Sequence, residues 1–84
     1  MPKDYLVAEA FTELDGAQDS ATLLSVMQKL LDLARDGATR IDMNMLVQVV
    51  KSTRMRVGAD IWTKMVARRF GEVLQVLRQK ALRK

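Results

Sequence analysis

The chain has no cysteine and no histidine, and its one proline is Pro2. Without thiols there is neither a disulfide nor a thiolate metal site, and cysteine usage says nothing about redox compartment. Without imidazole, the commonest general base, the usual triad partner and the usual zinc ligand are missing together. No apolar run approaches the ~20 residues of a membrane span, and no basic-plus-apolar leader opens the chain. The sequence also lacks a Gly-rich phosphate loop, internal repeats and low-complexity tracts. Carboxylate chemistry would have to rest on Glu9 with Glu13, or on Asp32 with Asp36, pairs spaced for faces that look exposed. The expectation is a soluble, intracellular, non-enzymatic protein with no cofactor and no metal.

What is present suits one small domain spanning residues 1–84, either whole or part of a larger protein. Hydrophobic residues make up 49% and charged residues 29% of the chain, an ordinary balance for a globular protein with a modest core. The net charge of +4 conceals an asymmetry. Residues 1–50 carry four basic and eight acidic side chains, a balance of −4, and residues 51–84 carry ten basic and two acidic, a balance of +8. The split implies a basic face that would draw acidic peptides, nucleic acid or an anionic membrane. Its plainer meaning is positive charge decorating the exposed side of a C-terminal helix.

Apolar spacing divides the chain into four segments. The first starts at Lys3 or Asp4 and carries Tyr5, Leu6, Phe11 and Leu14, with Glu9 and Glu13 on its outer face; Asp15-Gly16 ends it, since glycine tolerates the left-handed conformation after a helix. The second starts at Asp19 or Ser20, either of which can cap it. Leu23, Leu24, Met27, Leu30, Leu31 and Ala34 then form one wide stripe, and Asp36-Gly37 closes it. The third begins near Ile41-Asp42, with Asp42 as cap. Met43, Leu46, Val49, Val50 and Thr53 line its inner face, and Met45 and Val47 widen it. Val49-Val50 would suit a strand, but no second strand-like run exists to pair with it.

The segment Arg54-Met55-Arg56-Val57-Gly58 reads as a corner, because Met55 and Val57 fall off the preceding stripe. A final helix is expected over residues 59–81, with Ile61, Trp62, Met65, Val66, Phe70, Val73, Leu74, Leu77 and Ala81 inward. Gly71 within it costs roughly 1 kcal/mol against alanine and marks either a kink or a close helix approach. Met27, Met43 and Met65 are expected to stay in the core. The sum is an all-α antiparallel bundle of four or five helices.

Three stretches resemble the N-terminal (LW) domain family of transcription elongation factor TFIIS, including its integrase-binding-domain-like members. They are the Leu-rich run Leu23–Ala34, the start Ile41-Asp42 with Leu46, and the corner Thr53-Arg54-Met55-Arg56-Val57-Gly58. The corner has one extra residue before valine, and Phe70 stands where the family usually carries tryptophan. The resemblance implies a compact right-handed bundle and a nuclear docking module for short disordered motifs of elongation or chromatin factors. Carried over by position, the partner-binding residues are Leu14 and Asp15 in one inter-helix loop, and Met55 and Val57 at the corner. The residue chemistry is consistent with that role. Met55 is flexible and polarisable, and Lys51, Arg54 and Arg56 would attract acidic residues flanking an apolar anchor.

The bland alternatives are that Met55 and Val57 plug the bundle end, that Leu14 belongs to the core and that Asp15 is a turn residue. The Arg68-Arg69 pair and the Arg78–Lys84 tail are by default a solvated face. The competing function is nonspecific nucleic-acid binding through residues 51–84. The protein is expected to be monomeric rather than a dimer formed through the Trp62–Phe70 side, and no membrane partner is expected.

Overall fold

The computed structural model describes residues 4–37 and 39–83. Lys3 (the alternative start of the first helix), Pro2 and Lys84 (the last residue of the basic tail) lie outside them. Four helices follow one another, α1 Asp4–Gly16, α2 Ser20–Arg35, α3 Met43–Val57 and α4 Lys64–Leu82, and the described residues contain no strand. The Val49-Val50 pair is therefore helical.

The helix starts obey local chemistry. Asp19 caps α2 by accepting from the Thr22 amide at 2.8 Å, and Asp42 caps α3 by accepting from the Met45 amide at 3.1 Å. Each satisfies an amide that has no intrahelical acceptor. Thr63 does the same for α4 through the Val66 amide. That cap sets the start of α4 five residues later than the expected 59. The intervening Gly58–Thr63 stretch is a tight turn, with the amides of Ile61 and Trp62 both donating to the Gly58 carbonyl.

Cross-helix contacts give the directions. Glu13 of α1 pairs with Lys29 of α2 at 2.9 Å, and Leu6 and Glu9 of α1 share a cleft with Asp32 and Leu33, so these helices run oppositely. By contrast α2 and α4 run side by side in the same direction. Ser20 donates to the Ile61 carbonyl near their starts, Arg69 donates to Gln28 at mid-length, and Lys80 donates to the Asp36 carbonyl at their ends. Likewise α1 and α3 finish together, because the Thr53 hydroxyl donates to the Leu14 carbonyl. Successive helices thus alternate in direction, as an antiparallel bundle requires, while two of the packed pairs, α1/α3 and α2/α4, are parallel.

The core is centred on α2, whose Leu23, Val26, Met27, Leu30, Leu31 and Ala34 are all buried. Leu14, Leu46, Val66 and Val73 from the other three helices meet them with no exposed surface. Each such aliphatic side chain stabilises the fold by roughly 1.5–3 kcal/mol relative to exposure. Several expected inward positions differ. In α1 the buried residues are Val7, Ala10 and Leu14, and Tyr5 is exposed. Positions 7, 10 and 14 share one helical face, which Tyr5 is turned away from. Met65 is likewise exposed, since its neighbour Val66 occupies the inward position that α4 presents once it starts at Lys64. Ala81 is exposed too, and Ile61 and Trp62 are half-buried in the turn rather than on a helix. Gly71 faces open space: a Cβ built there meets nothing within 4 Å, so no helix approaches it.

Candidate functional site

The first candidate lies at the end of the bundle where α1 and α3 finish and α2 and α4 begin. Helix α3 continues through Arg54, Met55, Arg56 and Val57, so the expected corner is the last helical turn. Gly58 ends it with a φ of 82°, in the left-handed region that favours glycine, and its amide donates to the Arg54 carbonyl at 3.1 Å. Arg54 and Arg56 thus sit at the negative end of the helix dipole, a placement that favours cations with or without a ligand.

The carbonyl of Leu14 is the hub of this end. It accepts from the Ala17 amide at 3.3 Å, from the Thr53 hydroxyl at 3.2 Å and from the Arg56 guanidinium at 3.5 Å. The structure therefore brings together the two stretches singled out in the sequence. It also divides their side chains. Leu14 has no exposed surface, so its side chain belongs to the core and only its backbone takes part at this end. Val57 is half-buried against the core, as are Ile61 and Trp62 in the following turn. Met55 stands out at 84% exposed. Asp15, Lys51 and Arg54 are exposed as well, and none makes a side-chain hydrogen bond or ion pair among the described residues.

A shallow groove between α1 and α3 leads toward this end. Phe11, Thr12 and Asp15 line it from α1, and Met45, Gln48, Val49 and Ser52 from α3. Met45 is 51% exposed, although the sequence pattern placed it inward. Ser52 and Met55, three residues apart, share that side of α3. Phe11 and Met45 are site residues that the sequence pattern assigned to the core. Adjacency to Leu46 does not by itself reveal Met45, since the neighbours Leu30 and Leu31 of α2 are both buried; only the packing of α1 against α3 selects Leu46 for the core.

Three of the four carboxylates singled out earlier, Glu13, Asp32 and Asp36, have partners, and Glu9 is exposed. Glu13 pairs with Lys29, and Asp32 accepts from Gln28. Asp19 is held below its ordinary value of 3.8, chiefly by the Thr22 amide and then by the Thr22 hydroxyl donating to it. Among the described residues no three carboxylates converge as a metal site would require, and no helix is long and apolar enough to cross a membrane. Comparison with known proteins adds no relative: no family model, no curated protein and no solved structure matches this chain.

Proposed function

We propose that the chain is a non-enzymatic docking module that binds short acidic-hydrophobic segments of other proteins at the end of the bundle where α3 closes. Met55 serves as the apolar contact. Lys51, Arg54 and Arg56 receive the ligand's carboxylates, and Asp15 accepts from its backbone. The observation that carries the reading is the exposure of Met55 at 84% between two arginines, while Val57, Ile61 and Trp62 beside it pack against the core. A thioether there can adapt to varied apolar partners, and the flanking charges raise the association rate more than the affinity. The groove from Met45 past Phe11 extends the same apolar surface. The resemblance to the elongation-factor docking domains supports the same assignment, and with it a right-handed bundle, a monomeric state and a nuclear location.

Titrating isotope-labelled protein with acidic-hydrophobic peptides should shift the amide resonances of Asp15, Met55 and Arg56 first. Met55→Ser should weaken binding about tenfold or less without changing the fold. Shifts confined to residues 78–83 would reject the assignment.

A second reading is supported by the outer side of α4, where Lys64, Arg68 and Arg78 are exposed and make no ion pair among the described residues. In this reading the basic half binds nucleic acid through its phosphates. Affinity would then fall steeply with salt, in proportion to the number of phosphates neutralised. No mobility shift of DNA or RNA at low salt would end it.

A further inference from the structure

The opposite end of the bundle holds a feature that no sequence motif announces. There the link from α2 to α3 and the last turns of α4 enclose an open cleft of about 530 Å³, within the roughly 300–1,000 Å³ of ligand clefts. Its apolar surface comes from Ile41, Met43, Leu77 and Ala81, and Arg40, Lys80 and Arg83 stand around it. Ile41 and Met43 are half-buried and Leu77 is buried, so the apolar part is anchored in the core rather than carried on a loose segment.

Two observations point to a ligand. The first is an unpartnered group. Thr39 lines the cleft, is 3% exposed, and keeps a hydroxyl with no hydrogen-bond partner among the described residues. A buried hydroxyl left this way is destabilising, and a ligand oxygen or amide would relieve it. The second is uncompensated charge. Lys80 spends two of its three ammonium donors on the carbonyls of Asp36 at 2.6 Å and Thr39 at 3.4 Å, which leaves one free for an anion. Arg40 and Arg83 make no side-chain hydrogen bond or ion pair among the described residues. The nearby carboxylate of Asp42 is committed to the Met45 amide, and Asp36 has a partner of its own.

We propose that this cleft is a second peptide-docking site, which takes one large apolar side chain between Ile41, Met43 and Leu77 and sets flanking carboxylates against Arg40, Lys80 and Arg83. The apolar floor distinguishes the occupant from a bare anion, which would gain nothing from it. No aromatic side chain lines the cleft to stack a base, and an open hollow of this kind does not enclose an acyl chain. A peptide of alternating character matches both the floor and the rim. The site is independent of the Met55 end, since the two lie at opposite ends of α3.

The test uses the whole chain, isotope-labelled, and a capped peptide carrying one phenylalanine between two pairs of glutamates. Amide shifts are expected at Ile41, Met43, Leu77 and Ala81. Arg40→Gln with Arg83→Gln, both exposed positions, should raise Kd for that set of shifts about tenfold and leave the circular dichroism unchanged. Replacing the peptide's phenylalanine by serine should abolish the set. Arg54→Gln with Arg56→Gln should leave it intact. No shift at these four residues at millimolar peptide overturns the proposal. Shifts only around Met55 also overturn it, while supporting the first site. Shifts that survive the serine peptide and follow the basic residues generally overturn it as well, because the apolar seat would then play no part.

Discussion

The two ends of this bundle are built differently. Where α1 and α3 finish, three donors, one from the α1–α2 turn and two from α3, converge on the Leu14 carbonyl, and a fourth contact, from Ser20 to Ile61, ties α2 to the turn before α4. Where α2 and α4 finish, Lys80 ties α4 to the carbonyls of Asp36 and Thr39, and beside it lie a cleft and a buried hydroxyl with no partner among the described residues. The tied end offers a protruding side chain on a rigid platform, whereas the open end offers a hollow. A protrusion can adapt to many partners by rotating. A hollow selects by volume, so the open end should be the more discriminating of the two.

The contrast can be broken by substitution, and the largest effect should come from the core beneath each end. Leu14→Ala is expected to cost about 3–4 kcal/mol, and Leu77→Ala about 2, because Leu77 already borders a cleft into which neighbours can relax. Denaturant titration measures both. Equal losses would mean that the two ends are packed alike.

Next come the ties themselves. Thr53→Val removes the hydroxyl bond to Leu14 and should cost about 1 kcal/mol. Its effect on hydrogen exchange should be concentrated at the α1–α2 turn. Lys80→Met should cost about as much or less, its head being only partly buried, and should speed exchange of the Thr39 amide instead. Faster exchange at both ends from either variant would show that the bundle opens as one unit rather than from its ends.

Smaller still, Gly71→Ala should stabilise by up to ~1 kcal/mol, as a methyl group there meets nothing and helix propensity improves. A lowered Tm would mean that some unoccupied face of α4 needs the glycine. Last is the cap of α2 at the tied end. The Thr22 amide and hydroxyl hold the Asp19 carboxyl below its ordinary 3.8. A depressed folded-state pKa contributes stability that is present above 3.8 and is lost as pH falls through the lower folded value. Asp19→Asn should therefore narrow the difference between Tm at neutral pH and Tm in acid. An unchanged acid slope would remove Asp19 from the account.

Much of the architecture was legible because it depends on near neighbours. The stripe of α2 and the caps at Asp19 and Asp42 each follow from residues within a turn or two of one another. The start of α4 was not, because Ile61 and Trp62 continue the apolar pattern of that helix while sitting in a turn closed on the Gly58 carbonyl. Periodicity registers only that a residue is apolar, and a turn packed on the core shows the same composition. Tyr5, Met45 and Met65 were misplaced for a related reason: each adjoins or nearly adjoins a better-placed apolar residue, and hydropathy alone does not choose between them.

From its residues alone, this chain is committed to a helical bundle, to the wide apolar stripe of its second helix, and to an apolar-basic turn ahead of Gly58, because those properties arise from residues a few positions apart. Which side chains of that turn face solvent, and that Arg40 and Thr39 meet Lys80 and Arg83 around one hollow, depend on how α2, α3 and α4 are set against one another. Those groups are some forty residues apart along the chain, and only the packing of the helices brings them within reach.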